Sequence, residues 1–542
     1  MLIAAVPDPS GGVRLRVDDG PVEEVTDFAA RVRAAGPDAR WLWPSTAECY
    51  PRLVRAGVRV ARCHDLELTE ALLLGYEGRW GEPRTLPAVW ARLTGAPVPP
   101  DPPARPATPP GDGQATLFDP EPPPAGPGLD ALLQGYRHQQ ARIDATADPA
   151  RFRFLVAAEA AGALLAVEMG AAGLPWRADV HDELLRELLG EPSPMGGPPR
   201  RLADLSARIA AAFGGQRVHP ESPAEVLRAL QREGISVPST RAWVLRGVDH
   251  PAIPLLLEYK ELYRIWTAHG WSWCQQWVRD GRFHPEFVPA GVVSGRWATR
   301  GGGALQIPKV IRKAVVADPG WTFVVADAGQ LEPRILAAVS GDPGMSRAAG
   351  AGDMYAALAT ESFGGDRATA KVALLGAMYG QVGGQAAPAL ATLRRSYPQA
   401  WAYVEDAARV GEAGGLVRSW LGRTCPAGSA FWDLAAEASA RARGRFTRNF
   451  VIQATAAEWA LALLALLRAD LAGTAGPADL AGAELVFFQH DEVVVHAPVD
   501  KAPEVAALVE AAGERTRRLL FGDTPVRFPL GVSIVDCYAD AK

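Results

Sequence analysis

Cysteine is scarce and scattered in this chain. Its five residues, at 49, 63, 274, 425 and 537, include no Cys-x-x-Cys pair, so neither a disulfide framework nor a cysteine-based zinc site is suggested, and a reducing cytoplasm fits. An excess of positive charge is missing too. With a formal net charge of -5, affinity for phosphates has to come from locally placed cations rather than from the whole surface. No uninterrupted apolar run reaches the roughly 18 residues of a membrane span, and no cationic segment precedes a long apolar core at the N-terminus. An unexported protein with no membrane partner is expected. Gly301-Gly-Gly303 lacks the Lys-Ser/Thr that completes a P-loop and reads as a flexible loop.

What is present can build several cores: 542 residues at 48% hydrophobic content are enough for roughly two to four domains. Residues 1–95 alternate β-like runs (Leu2-Ile-Ala-Ala-Val6, Val13-Arg-Leu-Arg-Val17, Trp41-Leu-Trp43) with helical ones, a small α/β module. Residues 96–128 are proline-rich and polar and read as a semi-rigid, disordered linker. The chemistry lies in residues 129–542.

Three segments there are weak signals singly and strong together. Trp321-Thr-Phe-Val-Val-Ala326 predicts a buried strand that delivers Asp327 at its end, and Leu331, Ile335, Leu336 and Val339 then recur at helical spacing. Leu485-Val-Phe-Phe488, Gln-His-Asp-Glu492 and Val493-Val-Val-His496 read as a hairpin with Asp491 at its tip. Between them, Arg367, Lys371, Leu375 and Tyr379 are each four residues apart and share one stripe of a helix. Gly376 and Gly380 weaken that helix by roughly 1 kcal/mol each, which predicts a close approach. Two carboxylates from distant parts of the chain suit a pair of divalent ions. Two cations beside an aromatic suit a triphosphate and a base.

These segments resemble motifs A, B and C of the family A DNA polymerases, the DNA polymerase I group, and the resemblance covers roughly residues 150–542. Ser294-Gly-Arg-Trp-Ala-Thr299 with Leu305-Gln-Ile-Pro308 is similar to the segment that contacts the primer-template minor groove. Leu255-Leu-Leu-Glu-Tyr-Lys260 resembles the thumb-to-palm helix, and Pro529-Leu-Gly-Val-Ser-Ile-Val-Asp-Cys537 the last palm strand. The implied architecture is an α/β multidomain right-hand polymerase: thumb at about 150–290, palm at about 291–345 and 425–542, fingers at about 346–424. A reduced, RNase H-like 3′–5′ exonuclease domain would precede it. By resemblance Asp327 and Asp491 hold two Mg²⁺, with Mn²⁺ as a substitute, and Glu492 is an ancillary acid. Arg367 and Lys371 hold the dNTP, Lys371 also protonating the leaving pyrophosphate. Glu332 is the steric gate against a ribose 2′-hydroxyl, Leu375 lies at the sugar, and Tyr379 stacks near the templating pair. Gln330 and His490 lie near the sugar and the primer terminus; Arg296, Arg445, Asn449 and Gln453 contact primer-template DNA. The Arg441, Arg443, Arg445 and Arg448 run, and the group Arg296, Arg300, Lys309, Arg312 and Lys313, are expected to flank the DNA path. A monomer in a bacterial cytoplasm, associated with the nucleoid and acting in repair or gap filling, is implied. Gln114-Ala-Thr-Leu-Phe118 in the linker is an alternative docking peptide for a sliding clamp or other repair protein.

The departures from the family pattern carry expectations of their own. Ala328, Gly329 and Pro333 stand where Tyr, Ser and an aliphatic residue are usual, Leu375 replaces an aromatic, and Tyr355 replaces a phosphate-contacting His. Only about fifteen residues separate Gly380 from Arg395-Ser-Tyr-Pro398, where another helix pair is usual; lowered fidelity or processivity is expected. The exonuclease carboxylates are missing as well, with only Asp8 near the first strand, Cys49 where a second acid is expected, and Tyr136-Arg-His-Gln-Gln140 in place of Tyr-x-x-x-Asp. Proofreading is therefore expected to be absent. Three other readings stay open: a bifunctional enzyme with residual exonuclease activity, a single-subunit RNA polymerase (opposed by Glu332 and Gly376), and a DNA-binding scaffold that has lost catalysis.

Overall fold

The computed structural model describes residues 1–541 apart from 9–11, 104–127, 195, 301–306, 381–386, 429–436, 474–479 and 481. The glycine loop at 301–303, Leu305-Gln306, the Gln114–Phe118 peptide and most of the proline-rich segment lie outside the described residues.

The N-terminal module is a five-stranded sheet of β1 (Leu2–Pro7), β2 (Val13–Val17), β3 (Val22–Val25), β4 (Arg40–Trp43) and β5 (Arg62–Asp65), in the order β3-β2-β1-β4-β5. β1 to β3 pair antiparallel; β4 and β5 join in parallel through helical crossovers. Three strands answer the alternating runs read from sequence; the Glu-rich β3 and the polar β5 gave no such signal. The module's core does not end at residue 95. Helix α1 (Leu129–Asp144) buries Leu129, Leu132 and Leu133 against Ala4, Val6 and Leu42 of the sheet, completing one of its two faces. The start of the proline-rich segment is anchored: the Asp101 carboxylate accepts from the backbone N–H groups of Arg84 (2.9 Å) and Thr85 (3.1 Å).

Helix α2 (Pro149–Ala172) joins this module to the rest of the chain. It is hydrophobic all round because two cores use it: Ala160 and Leu164 pack beneath Trp41 and Trp43, while Phe152, Leu155 and Leu165 belong to the large central core. At its far end Glu168 forms a buried network, accepting from Arg468 (2.7 and 2.9 Å) and from the Tyr50 hydroxyl (2.5 Å); Arg468 also donates to the carbonyls of Val60 and Ala61. α2 and Glu437–Leu471 are long and apolar enough to cross a membrane by length and composition, but 67% and 83% of their apolar windows are buried.

The second sheet is antiparallel throughout: β6 (Trp321–Ala328), β7 (Glu484–Gln489), β8 (Glu492–Pro498) and β9 (Leu530–Val535), in the order β7-β8-β6-β9. Its middle strands are near-continuous Val/Ala/Phe runs buried on both faces. Around it stand α3 (Leu331–Ser340), α4 (Met354–Ser362), α5 (Arg367–Tyr379) and the 35-residue α6 (Glu437–Leu471). One ten-residue helix, Ala387–Ser396, is described between α5 and Tyr397.

Candidate active site

Register brings the two aspartates together. Asp327 lies one residue inside β6 rather than beyond it, opposite Glu492 of β8 and Gly531 of β9. The next N–H, of Ala328, donates to the carbonyl of Asp491 at 3.0 Å, so the two acids, one near the end of β6 and one in the turn that leads into β8, are held side by side 164 positions apart in sequence. β7 and β8 meet through a two-residue turn, His490-Asp491, with Gln489 opposite Glu492 and His490 at φ 58°. A left-handed histidine is an uncommon conformation of the kind that collects at functional sites.

Glu492 points away from solvent. Its carboxylate accepts from the Tyr538 hydroxyl, and Arg312 Nη1 lies 3.6 Å from Oε1 with its guanidinium 4.2 Å over the Tyr538 ring. Arg312 is thus a clamp on Glu492 rather than a free cation, and Arg300 pairs with Glu286 at 3.1 Å. Tyr538 and Arg312 were not assigned this role from sequence, because nothing local links a C-terminal tyrosine to an acid 46 positions earlier.

After β6 the chain turns sharply at Gln330 (φ 58°, ψ 43°) into α3. Arg334, fully buried, ties this turn down by donating to the carbonyls of Gly329, Ala349, Gly352 and Arg527. Gln330 itself is engaged: its Nε2 donates to Asp353 Oδ1 at 2.8 Å and its Oε1 accepts from Met354 N–H. The other oxygen of Asp353 accepts from Arg367 Nε at 2.8 Å. Asp353 therefore bridges the segment after β6 to the cationic stripe, a role not read from Gly352-Asp-Met-Tyr355. Against desolvation, which would raise it, the hydrogen bonds from Arg367, Gln330 and the Ala356 N–H together hold its carboxyl down at about 2.

The stripe on α5 forms as expected, with Arg367 and Lys371 exposed and Leu375 and Tyr379 half-buried. Tyr355 is buried beneath it, its ring 5.6 Å from the Arg367 guanidinium and 6.0 Å from Lys371 Nζ. Tyr379 donates to Glu332, whose carboxylate also pairs with Arg296. Burial, then the neighbouring Arg296, lowers the His490 imidazole below its ordinary pKa, so it is neutral at pH 7. Arg296, Glu332, Tyr379 and His490 thus converge from four separate elements. The close approach predicted at Gly380 is made by a side chain: Gly380 ends α5 at φ 69°, and an added Cβ would lie 2.8 Å from Arg445 Cγ.

On α6, Arg445, Asn449 and Gln453 form the less buried stripe of a mostly buried segment, and among the described residues Asn449 Oδ1 finds no hydrogen-bond partner. The four-arginine run is corrected. Arg443 is 0% exposed and donates to the carbonyls of Gly411, Gly415 and Pro426; Arg448 is buried on Ala377 O and Glu405; Arg441 pairs with Glu437. Helix periodicity turns two of the four inward, where they cross-link α6 to its neighbours.

In the N-terminal module Asp8 lies 3.5 Å from Arg14, the Cys49 thiol is buried and pushed up to about 12 by desolvation, and Tyr136 stands edge-on to His64. Its buried acids serve the fold: Asp65 caps a helix through the Leu68 N–H and also accepts from Thr46 N–H, and Glu70 pairs with Arg92 and Arg142. Among the described residues no three His, Cys, Asp or Glu side chains stand together as a ready metal cluster; the candidate site offers one aspartate from β6 and one from the neighbouring turn.

The chain is 28% identical over 377 residues to DNA polymerase I of Deinococcus radiodurans, covering 62% of this chain and 37% of that protein. It is 31% identical over 320 residues to the thermostable DNA polymerase I of Thermus filiformis, covering 53% and 36%. The matched region thus spans little more than a third of these relatives. A solved POL domain of Pol1 from M. smegmatis, in complex with DNA primer-template and dNTP, shares the fold at a TM-score of 0.73 and 17% identity, covering 99% of this chain and 95% of that one. The sequence profile of DNA polymerase family A matches residues 199–535, well over half of the chain, which therefore belongs to that family.

Proposed function

We propose that the chain is a DNA-directed DNA polymerase that extends a primer 3′-hydroxyl with dNTPs, acting in repair or gap filling. The observation that carries this reading is the apposition of Asp327, on β6, and Asp491, in the turn before β8, in a fold where Arg367 and Lys371 present an exposed cationic stripe. We read the second sheet and its neighbours (about 291–345 and 425–542) as the palm, 346–424 as the fingers and about 150–290 as the thumb.

Two hard carboxylates on a rigid sheet suit Mg²⁺, and Asp327 and Asp491 would hold the ions. Bound there, the ions supply charge stabilisation to the attacking and leaving oxygens of an in-line displacement. The chain's own residues do the positioning. Arg367 and Lys371 hold the triphosphate, and Lys371 Nζ gives a proton to the departing pyrophosphate. Glu332, fixed from two sides by Arg296 and Tyr379, stands against a ribose 2′-hydroxyl. Arg445, Asn449 and Gln453 present one helical face to the template.

The N-terminal module is read as a reduced 3′–5′ exonuclease-type domain without proofreading. Its mixed sheet order supports the resemblance, and the engagement of Asp65 and Glu70 in capping and ion pairs supports the loss of chemistry. One experiment tests both halves: extension of a 5′-labelled primer on a longer template with Mg²⁺ and dNTPs, beside Asp327→Ala, Asp491→Ala and a lane without nucleotides. Extension abolished by both substitutions, with no shortening in the nucleotide-free lane, is the expected result. Shortening would restore an exonuclease; DNA binding without extension would leave a scaffold.

A further inference from the structure

We propose that Arg423 is a positioning residue for Arg296: its buried guanidinium is the seat on which the Gly295 turn rests, and it thereby sets where the Arg296 side chain stands. The inference rests on the polymerase reading in one respect, that Arg296 meets primer-template DNA.

The turn closes on itself through Gly295 N–H to Val292 O (2.8 Å) and Val292 N–H to Arg296 O (3.1 Å). Gly295 has φ 85°, and a Cβ built on it would lie 2.9 Å from Arg423 Nη2 and nearer still to Nε and Cζ. A planar guanidinium is a flat surface that only a residue without a side chain can approach so closely.

Arg423 is itself immobilised. It is 6% exposed and ion-paired with the buried Glu159 of α2. Its carbonyl accepts from Ser419 N–H at 2.9 Å, closing the Ser419–Arg423 loop, and Glu458 of α6 accepts from the Ser419 hydroxyl and Leu421 N–H beneath that loop.

On the other side of Arg296 the chain is fixed as firmly. Trp297, 2% exposed, covers Gly162 of α2, where a Cβ would lie 3.4 Å from the indole Cζ2. It also meets Phe488 edge-on at 5.2 Å, three positions before Asp491. Arg296 thus projects toward Glu332 from between two fixed points, one of them Arg423.

The test compares Gly295→Ala, Arg423→Lys and the pair Arg423→Met with Glu159→Gln, each with and without Arg296→Ala, in the full chain. Two quantities are read: affinity for a primer-template duplex by fluorescence anisotropy, and amide hydrogen exchange over residues 292–297. Gly295→Ala and Arg423→Lys, which keeps the charge but not the flat face, should each weaken binding by on the order of tenfold, as should Arg296→Ala. Once Arg296 is removed they should cost nothing further. Exchange over the turn should quicken in every variant. Unchanged exchange, or losses that add to that of Arg296→Ala, would overturn the inference. A parent chain that binds no primer-template would sink the polymerase reading instead, and exchange over the turn would still decide whether it depends on Arg423.

Discussion

The hydroxyl of Tyr379 donates to Glu332 Oε2 at 2.7 Å, so the last turn of α5 and the first turn of α3 are joined through the one carboxylate that the family resemblance casts as a sugar gate. Arg296 holds the same group from a third element. A side chain fixed at both oxygens cannot rotate away, which is what a steric gate would require.

Glu332→Ala should therefore lower the preference for dNTPs over ribonucleotides by on the order of a hundredfold, and Tyr379→Phe by about tenfold. Single-nucleotide incorporation with paired dNTP and rNTP titrations measures both. An unchanged ratio in Glu332→Ala would remove the gate from this residue.

Gly380→Ala places a methyl 2.8 Å from Arg445 Cγ at φ 69°. About 1 to 2 kcal/mol of stability should be lost from the left-handed position alone. Because Arg445 must also move, primer-template affinity should fall more than Tm predicts; a loss of stability with unaltered DNA binding would separate Arg445 from the template.

Arg443→Ala should cost about 3 kcal/mol or more in chemical denaturation, since three carbonyls lose a buried charged donor. Arg441→Ala, exposed on the same helix, should stay within about 0.5 kcal/mol. Similar losses for the two would contradict the inward and outward assignment.

Glu458, fully buried among Ser419, Leu421 and Arg423, has its carboxyl pushed up by desolvation to about 7 from an ordinary 4.5. The native protein therefore holds this proton more tightly than the unfolded chain does. The contribution to stability is complete below about 4.5 and is lost as the pH rises through about 7. Tm should fall between about pH 5 and pH 8 in the parent and fall less in Glu458→Gln; parallel curves would place the titration elsewhere.

Much of the site was legible because its parts carry local patterns. Short, near-continuous apolar runs exposed β6, β7 and β8, and a four-residue spacing exposed the stripes on α5 and α6. What was not legible is pairing between distant segments. Asp353 is one acid in an ordinary capping position until Gln330 and Arg367 arrive from either side. Tyr538 gives no sign that it holds Glu492, and Arg443 cannot be told from Arg445 by charge, only by which way a helix two positions on is facing. The small polar strand β5 was missed because parallel pairing with β4, rather than its own composition, makes it a strand.

Tyr50, Glu168 and Arg468 meet at the junction of the N-terminal sheet with α2 and α6. A chain trimmed of its first 95 residues would leave a glutamate-arginine pair without the Tyr50 hydroxyl and the Val60 and Ala61 carbonyls that complete it, and would bare the apolar flank of α2 that carries Ala160 and Leu164. The module is thus upholstery for the helices that flank the second sheet. Removing it should therefore loosen α2 and α6, whatever chemistry the module itself carries.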